Sequence, residues 1–235
     1  MKLWVLGNNG PYPEKNGACS GYLVEKNGHY VLFDMGSGVL ANLQKVTDIS
    51  SLDFVILSHL HFDHMSDMLV LRYMLQLKNM KIDVYLPNEP KKVSDMLICD
   101  EFNLIFINDK TIIERDGFHI CFHRTTHTVE NYSVKVDGRF VYSGDISEPD
   151  DLVGFAYGVE MLLCDSAFLR IQKGNRKLPH LSADECGILA TKANVRKLLL
   201  THFSPEADKD AILREAIREF PETACTGIMQ TYDLI

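Results

Sequence analysis

Short apolar runs separated by polar turns dominate the chain, and amphipathic stretches lie between them. Alternating or continuous apolar positions predict strands. The predicted strands are KLWVLG, GYLVE, HYVLFD, SLDFVILS, IDVYLP, LIFIND, FHICFHRT, the pair within YSVKVDGRFVYSGD, EMLLCD, RKLLLTH and one final strand. Helical periodicity and end signals predict helices over 38–46, 68–78, 90–98, 182–194 and 205–220. Strands occur in both halves with helices between them, which predicts sheets packed face to face with helices outside.

Local turn and cap signals refine this prediction. Asn27 and Gly28 predict one hairpin turn, and Asp137 with Gly138 predicts another between clearly alternating strands. Ser66 and Asp67 are expected to cap the helix that follows them, and Pro205 is expected near the first turn of the last helix. No internal repeat, low-complexity segment or linker interrupts the chain, so residues 1–235 are expected to form a single domain.

Composition and charge exclude several classes of protein. No apolar run approaches the roughly 20 residues that span a bilayer, and the first residues lack a signal-peptide core, so we expect a cytoplasmic protein without a membrane partner. The six cysteines are scattered without a CxxC pair, which favours reduced core thiols over disulfides or a thiolate zinc site. The net charge of −8 makes extended nucleic acid an unfavourable partner.

The segment HLHFDH, residues 59–64, concentrates imidazole and carboxylate groups directly after the apolar run FVIL. That run predicts a strand buried on both faces. His59 and His61 would lie roughly 200° apart on a helix, so the four side chains cannot share one helical face. A loop that leaves a core strand could point His59, His61, Asp63 and His64 inward together, as a metal site requires.

Further metal ligands stand at the ends of other predicted strands. His127 follows FHICFHRT, Asp145 ends the second hairpin strand, and His202 ends RKLLLTH. Seven ligands exceed the three or four that one zinc ion takes, which predicts two divalent ions with Asp145 between them. Nitrogen and oxygen ligands without thiolate favour zinc, with manganese or iron as alternatives. Such ions lower the pKa of bound water towards about 7 and make a metal-bound hydroxide available.

The motif and the order of these ligands resemble the metallo-β-lactamase superfamily, over nearly the whole chain. The resemblance implies an α/β fold, a four-layer αββα sandwich with the metal site at one edge of the paired sheets. It implies a first metal bound by His59, His61 and His127, a second bound by Asp63, His64 and His202, and Asp145 as the bridge. Asp34 matches the aspartate that supports this site from behind the ligands.

Within that superfamily, HLSADECGILATKANVRKLLLTHFSP is most similar to the ribonuclease Z and phosphodiesterase branch. The resemblance implies that His180 contacts the phosphate and stabilises charge on the scissile group or the leaving oxygen. It also implies that Asp63 positions or deprotonates the attacking water. Ribonuclease Z enzymes often insert a tRNA-gripping arm between the third histidine and the bridging aspartate, but here the stretch from His127 to Asp145 holds only a predicted hairpin. Relatives are commonly dimers, so a homodimer stays open.

Three other groups of residues admit alternative interpretations. His119, Cys121 and His123 share one strand face and could bind a metal by themselves. The basic segment 173–177, KGNRK, is expected to be a solvated loop, with phosphate contact as the alternative because it precedes His180. His29 is expected on the surface of the first hairpin.

Three functions compete on these grounds. The first is a dimetal hydrolase acting on small nucleotide-type or cyclic phosphodiesters, which His180 and the segment THFSP favour. The second keeps the same metal site for a thioester or lactone, and an armless tRNA 3′-processing endonuclease is a variant of the first. The third is a non-catalytic, metal-holding interaction module, which would not need an open metal position.

Overall fold

A computed structural model describes residues 1–234, which form fourteen strands and eight α-helices. The strands are β1 (Lys2–Gly7), β2 (Gly21–Lys26), β3 (His29–Phe33), β4 (Leu52–Ile56), β5 (Ile82–Leu86), β6 (Phe102–Phe106), β7 (Ile112–Arg115), β8 (Phe118–Thr125), β9 (Asn131–Val136), β10 (Phe140–Tyr142), β11 (Met161–Asp165), β12 (Lys197–Thr201), β13 (Thr223–Cys225) and β14 (Thr231–Asp233). The helices are α1 (Val39–Val46), α2 (Phe62–Met65), α3 (Met68–Lys78), α4 (Lys91–Ser94), α5 (Asp150–Val153), α6 (Arg170–Lys173), α7 (Ala183–Lys192) and α8 (Lys209–Glu219). Short 3₁₀ turns cover Ile49–Ser51 and Asp95–Leu97.

The strands form two seven-stranded mixed sheets. The first has the order β14-β1-β2-β3-β4-β5-β6 and the second β13-β12-β11-β10-β9-β8-β7. Apolar side chains of both sheets, among them Phe33, Phe54 and Tyr142, form the core between them. A second core packs α1 and α3 against the outside of the first sheet, and a third packs α7 and α8 against the second. The helix–sheet–sheet–helix layering predicted from the sequence is confirmed.

Strand direction gathers the site at one edge. β3 and β4 run parallel in the first sheet, and β10, β11 and β12 run parallel in the second. Since β9 is antiparallel to both β8 and β10, β8 also points the same way as β10. The carboxyl ends of all these strands, which carry the predicted ligands, therefore meet along one rim of the sandwich.

Several local predictions are correct. Asp137 and Gly138 both have positive φ, 53° and 67°, as a two-residue hairpin turn requires. The Ser182 backbone N–H donates to the Glu185 carboxylate at 2.9 Å at the start of α7, and α1 and α3 begin and end within a residue of the predicted bounds.

Other predictions are wrong. The last helix does not begin at Pro205 but at Lys209, because the Asp208 carboxylate accepts a hydrogen bond from the Ala211 backbone N–H and fixes the helix start there. Asp67 is the N-cap residue of α3, as expected, but its side chain makes no capping hydrogen bond there, and the Ser66 hydroxyl has no hydrogen-bond partner within the described residues. The single final strand is two short strands, β13 and β14, one in each sheet. The short elements β7, α5 and α6 were not predicted.

Within residues 1–234, no helix combines the length and the apolar character needed to cross a bilayer.

Candidate metal centre

The HLHFDH segment begins as the predicted loop and then turns into a helix. His59 and His61 precede α2, whereas Asp63 and His64 lie within it, so the expectation that all four occupy a loop is corrected. The His64 backbone N–H donates to the His61 carbonyl at 3.0 Å, which closes the turn. One extended ligand pair followed by one helical turn lets all four side chains face the same space, which a regular helix would not allow.

Three imidazole nitrogens converge with one oxygen of Asp145. His59 Nε2 and His127 Nε2 lie 3.1 and 3.2 Å from His61 Nδ1. Asp145 Oδ2 lies 3.6 Å from His59 Nε2 and 3.9 Å from His127 Nε2. Ligands on a tetrahedral zinc with bonds of about 2.0–2.2 Å are about 3.3–3.6 Å apart. The four distances, 3.1 to 3.9 Å, scatter around that range, so these atoms are close enough together to bind a single divalent ion.

A second group of donors lies on the other side of Asp145. His64 Nε2 is 3.3 Å from Asp145 Oδ1 and 3.6 Å from Asp63 Oδ2. His202 Nε2 is 3.1 Å from Asp63 Oδ2 and 3.5 Å from Asp145 Oδ2. Asp145 thus contributes an oxygen to each group, the geometry of a bridging carboxylate.

Orphaned polar atoms provide an independent test of metal fit. His64 Nε2 and Asp145 Oδ1 are buried and face each other, yet neither has a hydrogen-bond partner among the described residues. A buried donor or acceptor without a partner costs about 1–3 kcal/mol. A divalent cation between these two atoms would satisfy both, so the residues present fit a metal pair.

Burial and nearby carboxylates shift the pKa values of the candidate ligands in opposite directions. Burial lowers the pKa of His59 and of His127, which leaves both imidazoles neutral, as metal ligands must be. Burial would also lower the pKa of His64, but the Asp145 and Asp34 carboxylates outweigh it and raise that pKa to about 10.

Asp34 lies behind His64, in the place that the resemblance implies. Its Oδ2 accepts hydrogen bonds from His64 Nδ1 at 2.7 Å and from the Tyr142 hydroxyl at 2.6 Å, while Oδ1 accepts from the Ser58 backbone N–H at 2.7 Å. The bond to Nδ1 leaves Nε2 of His64 directed at the ligand cluster. Asp34 itself has φ 57°, a left-handed conformation that aspartate tolerates better than most residues.

His180 stands beside the cluster and is held by Asp165, a residue that the sequence interpretation missed. His180 Nδ1 lies 3.0 Å from Asp165 Oδ2 and 3.7 Å from Asp145 Oδ2. Asp165 Oδ1 is also 3.4 Å from His202 Nδ1. Burial would lower the pKa of His180, but the Asp165 carboxylate raises it above its usual value. The signal was available: Asp165 ends the predicted strand EMLLCD, as Asp145 ends its own strand.

Gly10 is a second residue that was missed. It lies in the loop after β1, where its backbone N–H donates to the Phe203 carbonyl at 3.0 Å. A Cβ at this position would lie 1.9 Å from His202 Nε2, so only glycine leaves room for that imidazole. The segment LGNNGPYP contains no feature that would have revealed this long-range contact.

The alternative groups lie elsewhere. His123 Nε2 is 3.1 Å from the Asp151 carbonyl, and His119 Nδ1 is 3.3 Å from Glu114, so neither histidine joins a metal-binding group within the described chain. Lys173 is buried in α6 and pairs with Glu185 at 2.5 Å, which corrects the expectation that 173–177 is wholly a solvated loop. His29 is partly exposed on the first hairpin, as expected.

Comparison with known proteins identifies the family. The model for the beta-lactamase superfamily domain matches residues 29–203, a span that holds all seven predicted metal ligands. The chain belongs to the beta-lactamase superfamily. It is 30% identical to the probable metallo-hydrolase YhfI of Bacillus subtilis over 92% of each chain. The crystal structure of YhfI superposes with a TM-score of 0.92 over 98% of both chains, at 28% identity.

More distant structures share the fold. The short form of human tRNase Z gives a TM-score of 0.78 at 18% identity over 99% of both chains. A diphosphatase of the PhnP family gives 0.79 at 18% identity, over 100% of this chain and 98% of the other. Together with the clusters of histidine and aspartate, the family assignment makes the chain a metal-dependent hydrolase, and the resemblance drawn from HLHFDH is confirmed.

Proposed function

We propose that this hydrolase is a dimetal phosphodiesterase that cleaves small nucleotide-type or cyclic phosphodiesters, with zinc as the metal. The observation that carries the proposal is the Asp165–His180 pair beside the metal cluster. Hydrolysis of a phosphodiester requires a proton or positive charge at the leaving oxygen, and an imidazole held by a carboxylate can supply it. The names of the relatives support phosphorus chemistry, since they include tRNase Z and a diphosphatase.

The ligand assignment follows from the two groups of donors. His59, His61 and His127 would hold one ion, Asp63, His64 and His202 the other, and Asp145 both. The ion pair would supply Lewis acidity to the phosphoryl oxygens and lower the pKa of water in the site. Neutral imidazole and carboxylate donors without thiolate favour zinc over softer-ligand metals.

Two side chains are assigned to proton transfer at the reacting phosphate. Asp63 directs Oδ2 to His202 and His64, whereas its Oδ1 makes no hydrogen bond within residues 1–234 and can accept a proton from the attacking water. His180 uses Nδ1 for Asp165, so its other nitrogen, Nε2, can donate to the leaving oxygen. Asp165 is a positioning residue that fixes this orientation and stabilises the imidazolium.

A panel of substrates tests the proposal. The protein should be stripped with a chelator, reconstituted with zinc or with manganese, and assayed against bis(4-nitrophenyl) phosphate, 4-nitrophenyl phosphate, a glutathione thioester and a lactone. We expect metal-dependent turnover of the diester that exceeds turnover of the monoester and of both acyl substrates. Activity confined to the thioester or lactone would refute the proposal and assign the site to acyl hydrolysis instead.

A further inference from the structure

A cavity of about 270 Å³ is lined by residues of the two segments that follow Asp165 and His202 in the chain. Phe168, Gln172 and Arg176 line it from the segment after β11, and Ser204 and Glu206 line it from the segment after β12. The two strands are parallel neighbours, so the segments that leave their carboxyl ends begin side by side. The lining residues therefore lie just after Asp165 and His202, the two residues at the carboxyl ends of these strands.

Phe168 joins this cavity to the catalytic histidine. Its ring centroid lies 6.1 Å from that of His180. Its backbone N–H donates to the Leu181 carbonyl at 3.3 Å, and its carbonyl accepts from the Ala183 N–H at 2.9 Å. These two bonds tie the backbone of Phe168 to the segment that carries His180, and they keep the half-buried phenyl ring close to that imidazole.

The orientation of His180 decides which part of a substrate reaches this cavity. Nδ1 is occupied by Asp165, so Nε2 is the nitrogen that can protonate a leaving oxygen. The leaving group must then lie on the His180 side of the phosphorus. A larger cavity, about 650 Å³, is lined by residues 123–130, which include His127, and shares no lining residue with the smaller cavity, so it offers separate space for the group that stays on the phosphate.

We propose that the smaller cavity binds the leaving alcohol and that the Phe168 ring stacks on it, an inference that rests on the proposed function. Water adds its oxygen to phosphorus and gives a proton to Asp63, the bond from phosphorus to the leaving oxygen breaks, and His180 protonates that oxygen. The cavity is smaller than the roughly 300–1,000 Å³ of typical ligand pockets, so it accepts one ring or sugar, not a chain. Arg176 and Glu206 carry opposite charges, which suits a neutral, hydrogen-bonding ring such as a nucleoside or an aryl alcohol.

Two diesters with the same leaving group test whether Phe168 contacts the leaving alcohol or the group that stays on the phosphate. Methyl 4-nitrophenyl phosphate loses only 4-nitrophenolate and retains a methyl group, whereas bis(4-nitrophenyl) phosphate retains a ring. Phe168→Ala should lower kcat/KM on both by the same factor, about tenfold or more, as expected for loss of a stacking contact. Phe168→Tyr should restore most of the wild-type value. Phe106→Ala, at an exposed position on the distant edge strand β6, should change neither.

Inhibition by 4-nitrophenol, which represents the leaving alcohol, and by inorganic phosphate completes the test. In Phe168→Ala, inhibition by 4-nitrophenol should weaken by the same factor, while inhibition by inorganic phosphate should stay at the wild-type level. An unchanged kcat/KM of Phe168→Ala on methyl 4-nitrophenyl phosphate would overturn the inference, because the Phe168 ring would then not contact the leaving group. Equal weakening of phosphate inhibition would also overturn it, since Phe168 would then only support the metal centre. If the wild-type protein hydrolyses neither diester, the proposed function fails and this inference fails with it.

Discussion

Asp145 is the residue on which the two proposed metal positions depend, because Oδ2 faces His59 and His127 whereas Oδ1 faces His64. Asp145→Ala should therefore reduce metal content from about two ions per chain to one or fewer and abolish turnover. Elemental analysis after saturation with zinc and removal of excess ion measures this directly. Asp100→Ala, at an exposed position, is the matched control and should keep the wild-type content. Full metal content in Asp145→Ala would remove the bridge assignment.

His180 is assigned to charge stabilisation and not to metal binding. His180→Ala should lower kcat by about 10² to 10³ with both metals retained, the usual effect of removing one preorganised stabilising group. Asp165→Asn keeps the shape of the partner and removes its charge, so it should cause a smaller fall of the same kind. Turnover on a diester and metal content should be measured on the same samples. Wild-type turnover would refute the role, and loss of an ion would make His180 a ligand.

At the scale of elements, Asp67 links α3 to α1. Its Oδ2 accepts a hydrogen bond from the Leu40 backbone N–H at 2.8 Å, in the first turn of α1, whose own N-cap residue Gly38 offers no side chain. Asp67→Ala leaves that N–H without its partner and should lower the free energy of unfolding by about 1 kcal/mol. Asp67→Asn keeps an acceptor and should lose less. Urea unfolding of the zinc-loaded variants compares them, and equal stability of Asp67→Ala and wild type would show that the link is dispensable.

At the scale of the whole molecule, shape and charge both bear on substrate size. The chain between His127 and Asp145 forms only the β9–β10 hairpin, without an inserted arm, and the net charge is −8. A single phosphate needs neither an arm nor long-range attraction, whereas a tRNA is a polyanion that a negative net charge repels and that an arm would help to hold. We predict a kcat/KM on a cyclic nucleotide or aryl diester at least about a hundredfold above that on precursor tRNA, measured with one zinc preparation at moderate salt. Efficient, site-specific 3′ cleavage of precursor tRNA would contradict this.

The sequence by itself determined the family, the layering and all seven ligand candidates. Short stretches of the sequence are enough to reveal each of these. HLHFDH follows a strand that is buried on both faces, and His127, Asp145 and His202 each follow or end a strand that its apolar pattern reveals. Parallel strands place their carboxyl ends at the same edge of a sheet, so the residues at these ends were expected to lie together in one site. The Asp137–Gly138 turn was equally local, since its positive φ angles need only those two residues.

Only the tertiary structure decided how those groups meet. Asp165 is hydrogen-bonded to His180, and Gly10 leaves space for the His202 imidazole. The Asp67 side chain accepts a hydrogen bond from the first turn of α1 instead of capping α3. Each of these contacts joins residues far apart in the chain, and hydrophobic periodicity carries no information about which strand end faces which. The start of α8 was misplaced for a related reason, because a proline is compatible with a helix start without requiring one, whereas the Asp208 cap fixes it.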